Sequence, residues 1–261
     1  MIRRGPHYRP GRSLVTGASS GIGAEFARAL AARGSDLVLV ARREERLTAL
    51  AEELEQKHGI RCRTVAWDLS EKSSGRRLRE LVPERIDLVV NNAGFAVQGP
   101  FADGDADDFE RLVAVDIRAV VDICSAFLPD MIDRRDGTIV NVASTTAFQP
   151  VPSLAVYAAA KAFVLSFSQS LWYESAKNGV RVFALNPGPT RTEFFDVIGD
   201  SAAATGTYQT PNEVVDTAMR ALDARRSRPQ VISGRRNTAQ AIAAGLVPAR
   251  ILLPALARML H

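Results

Sequence analysis

The chain has 261 residues, of which 46% are hydrophobic and 24% are charged, and its formal net charge at pH 7 is +4. This is the composition of an ordinary globular protein that can bury a full core. The arginines cluster near the start of the chain and again at 225–236, but they form no stripe interleaved with aromatic side chains, which argues against a nucleic-acid partner.

Cysteines and the chain's beginning bear on location. Cys62 and Cys124 have neither CxxC nor metal-ligand spacing, so we expect reduced, structural cysteines and no metal site. The first six residues lack the apolar core of a signal peptide, and no apolar run reaches a bilayer's length. We therefore predict a cytoplasmic protein.

A glycine-rich turn follows a flexible basic arm (1–11) and a short apolar strand (13–16). The turn runs directly into a predicted helix (24–33). Its glycines let the backbone approach a pyrophosphate, and the N-terminus of a helix offers free N–H groups and a positive dipole end. The sequence therefore predicts a dinucleotide site that includes Gly17, Ser19, Ser20, Gly21, Ile22 and Gly23.

The end of the second predicted strand (36–41) indicates which dinucleotide binds. An NAD site typically has a carboxylate there, but this chain has Ala41 followed by Arg42 and Arg43. A guanidinium at this place suits the 2′-phosphate of NADP. The alternative is that both arginines are merely solvated.

The next strands also end in candidate ligand-binding residues. The third (61–67) leads to Asp68 and Leu69, and a helix is predicted over 71–82. The fourth (86–90) is almost entirely apolar, as expected of a buried parallel strand, and leads to the amide-rich segment 91–94. Ligands bind at the carboxyl ends of such strands, although a simple turn would also explain this segment.

Tyr157 and Lys161 are the strongest candidates for chemistry. A strand (138–143) ends at Ser144, and an alanine-rich helix is predicted over 153–174 with Ser153 as its N-cap. Residues four apart share one face of a helix, so the lysine ammonium would lower the pKa of the Tyr157 phenol towards neutrality. Such a phenol can exchange a proton with a carbonyl or alcohol oxygen.

The remaining elements complete one α/β fold. A long helix is predicted over 105–132, a strand over 180–185, a mobile lid or binding loop over 190–210, a helix from Pro211 to about 224 and a last strand over 230–233. Strands and helices alternate throughout, which predicts a single doubly wound, Rossmann-like domain (12–235) with about seven parallel strands and helices on both faces. An apolar tail (236–261) follows, and its prolines limit it to two short helices.

These motifs, in this order and spacing, closely resemble the short-chain dehydrogenases/reductases in their single-domain form. The resemblance covers about 13–233 and implies hydride transfer between a nicotinamide and a carbonyl or alcohol carbon. It makes Tyr157 the general acid/base and Ser144 the residue that hydrogen-bonds the substrate oxygen. Lys161 would hold the nicotinamide ribose and lower the Tyr157 pKa. Further cofactor-binding residues implied are Asp68, Leu69, Asn92, Ala93, Gly94, Pro187, Gly188, Thr190 and Thr192.

Asp116 departs from the family pattern, which usually has asparagine at this position in the long helix. The family uses the main-chain carbonyl there to anchor a water in a proton relay, and a carbonyl is indifferent to the side chain. A carboxylate could nevertheless disturb Lys161, so Asp116 is left outside the predicted catalytic set.

The sequence thus predicts an NADP-dependent oxidoreductase for a small ketone or alcohol; a catalytically idle dinucleotide-binding regulator is the alternative. The predicted substrate pocket comprises Phe95, Thr145, Thr146, Phe148, Gln149, Val151 and the segment 190–210. The helices over 105–132 and 153–174 are apolar on more faces than one sheet can cover, which predicts a homodimer or homotetramer. Docking of the tail on the protein is favoured over contact with a membrane surface.

Overall fold

The computed structural model describes residues 7–194, 208–244 and 247–260. Its strands form one parallel sheet in the order β3-β2-β1-β4-β5-β6-β7, which confirms the predicted fold class. The strands are β1 (Arg12–Thr16), β2 (Asp36–Ala41), β3 (Cys62–Ala66), β4 (Leu88–Asn91), β5 (Gly137–Val142), β6 (Val180–Asn186) and β7 (Gln230–Ile232).

The α-helices of the described residues alternate with these strands. They are α1 (Gly21–Ala31), α2 (Glu44–His58), α3 (Ser74–Leu81), α4 (Ala106–Val113), α5 (Ala119–Asp133), α6 (Ala155–Ala176), α7 (Pro211–Leu222), α8 (Arg235–Ala244) and α9 (Ala249–Leu260). As predicted, α7 begins at Pro211. The preceding Thr210 forms a capping box with Glu213, which satisfies N–H groups at the start of the helix.

The sheet has an apolar core on each face because neighbouring residues of a strand point in opposite directions. Val15 of β1 packs in one core, which contains Phe26 of α1. Leu14 packs in the other, with Leu78 of α3 and Ile123 of α5. The order of the strands reverses between β1 and β4, and the carboxyl ends of parallel strands form a ligand crevice at such a point.

Two predicted helices differ from the structure in a way that matters for the site. The long helix over 105–132 consists of α4 and α5 joined by a π turn (Ala114–Arg118). The prediction that Ser153 caps the next helix was wrong. Ser153 has a left-handed φ of 62°, Leu154 is the N-cap of α6, and no side chain caps this helix.

The tail forms two helices, as predicted, but α9 continues through Pro254, which we had expected to interrupt it. The break falls at Pro248 instead, whose carbonyl accepts hydrogen bonds from the first turn of α9. Leu256 is only 5% exposed, so part of α9 packs on the protein, whereas Ile251 remains 60% exposed. None of the helices in the described residues has the length and hydropathy needed to span a bilayer.

The end of the predicted arm makes specific contacts in the part that the structure describes. The backbone N–H of Tyr8 donates to Asp223 Oδ1 at 2.8 Å, and the Arg33 guanidinium binds the same carboxylate at 2.7 Å. The Arg181 guanidinium lies 5.7 Å from the centroid of the Tyr8 ring. The division into arm, domain and tail remains a prediction.

Candidate active site

A cleft of about 460 Å³ lies across the carboxyl ends of the central strands. It brings together residues that are far apart in the sequence, and it includes every predicted site residue except Gly23. These are Gly17, Ser19, Ser20, Gly21, Ile22, Arg42, Arg43, Asp68, Leu69, Asn92, Ala93, Gly94, Ser144, Tyr157, Lys161, Pro187, Gly188, Thr190 and Thr192.

The glycine turn has no room for side chains. A Cβ on Gly17, whose φ is 66°, would lie 2.7 Å from Asn92 Nδ2. A Cβ on Gly23 would lie 2.2 Å from the Gly17 carbonyl oxygen, so this glycine permits close packing rather than lining the cleft. The first helical hydrogen bond of α1 runs from Ala24 to Ser20. The amides before it have no partner within the helix and lie where an anion would bind.

The segment after β4 holds this turn in place. Thr16 Oγ1 accepts hydrogen bonds from the backbone N–H groups of Asn92, at 2.9 Å, and Ala93, at 3.0 Å. The Asn92 side-chain amide donates to the Thr16 carbonyl oxygen at 3.0 Å. The Asn92 side chain therefore fixes the shape of the cleft at the junction of β1 and β4.

Arg43 organises a polar cluster at one end of the cleft. Its guanidinium donates to the hydroxyls of Ser19 at 3.0 Å and Ser20 at 2.9 Å. It also pairs at 2.8 Å with Glu193, which Arg46 binds as well. The hydrogen bonds from these two arginines hold the pKa of the Glu193 carboxyl below its usual value. The sequence analysis included Glu193 only as part of the segment 190–210, because its pairing with the arginines depends on tertiary structure.

Asp68 lies near both Arg42 and Arg111 in the same region. Partial burial opposes ionisation of Asp68, but hydrogen bonds from Ser70 and the two arginine charges hold its pKa below the usual value. The Ser70 N–H donates to Asp68 Oδ1 at 2.9 Å. Arg42 makes no hydrogen bond within the described residues, so its guanidinium is available to a ligand.

Tyr157, Ser144 and Lys161 lie together at the other end of the cleft. Ser144 precedes a 3-10 turn (Thr145–Phe148) and accepts the Thr146 N–H at 3.1 Å. The Lys161 Nζ atom lies 5.5 Å from the centroid of the Tyr157 ring. The ring centroids of Tyr157 and Phe194 are also 5.5 Å apart. A hydroxyl, a phenol and an ammonium thus converge beside an aromatic wall.

The predicted lowering of the Tyr157 pKa was wrong in direction. Burial disfavours the phenolate and is the largest cause of a raised pKa, because Tyr157 is only 8% exposed. The charge of Lys161 and the Ser144 hydroxyl act in the opposite direction, while the charge of Asp116 adds to the effect of burial. The sequence analysis counted the lysine charge but neither the burial nor the carboxylate.

Asp116 forms a buried ion pair with Lys161. The distance from Asp116 Oδ2 to Lys161 Nζ is 2.8 Å, and the side chains are 0% and 6% exposed. The other carboxylate oxygen, Oδ1, accepts the Phe95 N–H at 3.1 Å. Burial raises the pKa of the Asp116 carboxyl, an effect that Lys161 opposes. For Lys161, burial favours the neutral amine, but the charges of Asp116 and Tyr157 outweigh it and raise the pKa.

The walls near Tyr157 are mainly apolar. Phe95, Thr145 and Thr146 line the cleft as predicted, together with Ala96 and Leu154, which the sequence analysis did not include. The prediction that Phe148, Gln149 and Val151 line it was wrong for the described cleft. Phe148 packs against the core beneath the sheet, and Val151 is buried in a smaller cluster that contains Tyr157.

The segment after β6 forms the remaining edge. The Pro187 carbonyl accepts the Thr145 N–H at 2.8 Å, and Thr190 Oγ1 donates to the Gly188 carbonyl at 2.8 Å. A Cβ on Gly188 would lie 2.2 Å from Asn237 Nδ2, so α8 packs directly against this edge.

Both ends of the predicted lid belong to the described residues. Thr190 and Gln209 form a parallel bridge, which joins the entry and exit of the segment. Thr192 lies beside the glycine turn, because a Cβ on Gly21 would be 2.9 Å from its Cγ2 atom. The central part of the predicted lid, 195–207, falls outside the described residues. Within the described part of the chain, no group of three or more His, Cys, Asp or Glu side chains could hold a metal ion.

Comparisons with known proteins agree with this geometry. The family model for short chain dehydrogenase matches residues 12–202. Sulfoacetaldehyde reductase 2 of Chromohalobacter salexigens is 39% identical over 214 residues, which cover 78% of this chain and 84% of that one. A short-chain dehydrogenase from Sphingobium yanoikuyae, solved with NADPH, has a TM-score of 0.81 and 35% identity and covers 89% and 91% of the chains. A bulky-bulky ketone specific alcohol dehydrogenase from Comamonas testosteroni has a TM-score of 0.77 and 30% identity over 92% and 94%.

The chain therefore belongs to the short-chain dehydrogenase family, as the resemblance of its motifs implied. It is an oxidoreductase of the kind that acts on alcohol or carbonyl groups, and its family uses a nicotinamide dinucleotide.

Proposed function

We propose that the protein is an NADP(H)-dependent carbonyl reductase or alcohol dehydrogenase with Tyr157 as its general acid/base. The observation that carries the proposal is the convergence of Ser144, Tyr157 and Lys161 at one end of a cleft whose other end carries Arg42 and Arg43. A catalytically idle regulator would not need this set of three beside a dinucleotide cradle. We retain the predicted cytoplasmic location as part of the proposal.

The cleft residues fit a dinucleotide phosphate. The glycines of the turn after β1 leave space for a phosphate. The Arg43 guanidinium donates hydrogen bonds to oxygen atoms of Ser19, Ser20 and Glu193. A phosphate would offer oxygens of the same kind. Arg42 adds a second positive charge at the end of β2, and Asp68 and Leu69 would flank the adenine. The solved structure of the Sphingobium yanoikuyae short-chain dehydrogenase in complex with NADPH supports the same assignment by similarity.

Each catalytic residue would have a distinct role during reduction. The bound cofactor supplies a hydride to the carbonyl carbon. Ser144 would donate a hydrogen bond to the substrate oxygen and orient it towards the phenol. Tyr157 would give its proton to that oxygen as negative charge develops there. Lys161, which lies beside the tyrosine ring, would stabilise the phenolate that remains and bind the ribose.

The cofactor preference is tested by replacing Arg42 with alanine. We expect NADPH to bind about 10- to 150-fold more weakly to the Arg42→Ala variant, since a charge-assisted contact contributes roughly 1.5–3 kcal/mol. NADH binding should change little. Quenching of protein fluorescence by each cofactor measures both dissociation constants.

Arg63→Ala is the matched control, because Arg63 is an exposed arginine on β3 that pairs with Glu84 and does not line the cleft. It should leave both constants unchanged. Equal affinity of the native protein for NADPH and NADH, or an unchanged preference in the Arg42 variant, would contradict the assignment of NADP.

The substrate is proposed to be a moderately apolar ketone or aldehyde, or the corresponding alcohol. Phe95, Ala96, Leu154 and Phe194 surround the approach to Tyr157, and Lys161 carries a charge that Asp116 already balances. These four apolar side chains carry the proposal. The Arg111 guanidinium, 6.0 Å from the centroid of the Phe95 ring, is the cation in the described cleft that an anionic substrate would have to reach instead. The ketone specificity named for the Comamonas testosteroni relative agrees with this proposal.

A substrate panel tests the proposed function. We expect NADPH consumption with bulky apolar ketones, 3-oxoacyl thioesters or steroids, and slower turnover with sulfoacetaldehyde, an anionic comparator of the kind that one relative reduces by name. Absence of turnover with the whole panel, despite tight NADPH binding, would favour the idle regulator.

We also propose a homodimer or homotetramer. The surface of α6 exposes Phe163 and Tyr173, and α4 exposes Val113, so apolar groups remain on the outer faces of both helices.

For the tail, the burial of Leu256 and the contact of Asn237 with Gly188 support docking on the protein. Contact of the exposed Ile251 with a membrane surface remains the less favoured alternative.

A further inference from the structure

We propose that Asp116 is a positioning residue of the active site, whose buried carboxylate holds the Lys161 ammonium beside Tyr157 and offsets its positive charge there. The inference rests on the proposed role of Tyr157 as proton donor. It adds the residue that would set the protonation state of that donor.

The backbone at Asp116 is unusual. The residue lies in the middle of the π turn, where the N–H of Ala119 donates to the Ala114 carbonyl five residues earlier. Such turns within α-helices are often found at functional sites. This turn packs against α6, which carries Tyr157 and Lys161. The local widening of the helix thus coincides with the one acidic residue of the described chain that pairs with the predicted catalytic lysine.

Both carboxylate oxygens of Asp116 are held. Oδ1 accepts the backbone N–H of Phe95 at 3.1 Å, and Oδ2 lies 2.8 Å from Lys161 Nζ. The neighbouring Gly94 leaves space for the pair, because a Cβ there would lie 2.9 Å from Oδ2 and 3.1 Å from Nζ. The segment after β4 therefore contributes both a hydrogen bond and the room that the ion pair requires.

Lys161 can keep this partner and still face a ligand. An ammonium has three N–H donors. One points to Asp116, and another reaches the Val142 carbonyl oxygen at 3.4 Å. Lys161 also lines the cleft, so the third donor is free to meet a ribose hydroxyl. Asp116 would thus orient the lysine rather than remove it from the cofactor site.

The charges that act on Tyr157 come from two elements in the described part of the chain. Lys161 lies on its own helix and favours the phenolate, whereas Asp116 on the π turn opposes it; Ser144, after β5, is uncharged. With the two charges opposed, burial decides the direction and raises the pKa of Tyr157. The inferred role of Asp116 is therefore to offset the charge of Lys161 at the phenol.

Asp116→Asn tests the inference because it removes the charge but retains an oxygen for the Phe95 N–H. We expect Tyr157 to lose its proton at a pH lower by at least about one unit, since a nearby unbalanced lysine charge shifts a pKa by roughly 1–3 units. Tyrosinate absorbance of the ligand-free protein measures this ionisation, after subtraction of a Tyr157→Phe counterpart. The alkaline limit of the reductase rate should shift in the same direction.

Asp108→Asn is the control, because Asp108 is an exposed acid on α4 that precedes the π turn. It should leave the titration unchanged. An unchanged titration in Asp116→Asn would overturn the proposal. So would native Tyr157 ionising below about 10, the value for a free tyrosine, and this measurement does not require the variant to fold. The expected absorbance shift without reductase activity would refute the proposed function while supporting the role of Asp116.

Discussion

Replacement of Tyr157 by phenylalanine is expected to lower turnover by at least ~10²-fold, because the variant loses the group that donates a proton to the substrate oxygen. Cofactor binding should stay close to that of the native protein, since the ring and its contact with Phe194 are retained. Steady-state rates with an active ketone and a fluorescence titration with NADPH measure the two quantities separately.

Tyr173→Phe is a matched control on the same helix. Tyr173 is 78% exposed and lies outside the cleft, so its hydroxyl should contribute nothing to the reaction. The proposed mechanism fails if Tyr157→Phe retains near-native turnover, or if both tyrosine variants lose activity to a similar extent.

Replacement of Lys161 by methionine should strongly destabilise the fold as well as slow the reaction. The substitution leaves the Asp116 carboxylate buried without its cation, and removal of one partner of a buried ion pair typically costs about 3–5 kcal/mol. Urea unfolding at neutral pH measures the change in the free energy of unfolding. The loss should shrink as the pH falls, because protonation neutralises the unpaired carboxyl.

The double variant Lys161→Met/Asp116→Asn separates charge from packing. It should recover much of the lost stability, because no unpaired charge remains, but it should stay inactive. A double variant that is no more stable than Lys161→Met would show that the ion pair in the structure does not control the stability of this site.

Much of the fold could be predicted from the sequence because its signals are local. Each signal determines the structure of only a few neighbouring residues. Examples are the apolar run of the strand predicted over 86–90, the fixed spacing of the glycines and the capping residues of α7. The position of the cleft could also be predicted, since the carboxyl ends of parallel strands meet at one edge of the sheet. Gly23 is the predicted site residue that does not line the cleft. A glycine is required there by close packing against Gly17 rather than by a ligand.

The electrostatics of the site could not be predicted in this way. Glu193 forms an ion pair with Arg43, which lies 150 positions away in the sequence, and no local sequence pattern predicts that contact. Asp116 was visible as the one acid in an apolar stretch, but its pairing with Lys161 depends on how the π turn packs on α6. The direction of the Tyr157 pKa then depends on burial and on both charges together.

Transfer of deuterium is the most direct test of the proposed reaction. The native protein would be incubated with an active ketone and NADPH that carries deuterium at the transferable position of the nicotinamide, and the alcohol would be analysed by mass spectrometry. We expect deuterium on the carbinol carbon of the product, with little product formed by Tyr157→Phe. Alcohol formed without deuterium from either face of the labelled nicotinamide would contradict hydride transfer as the activity of this protein.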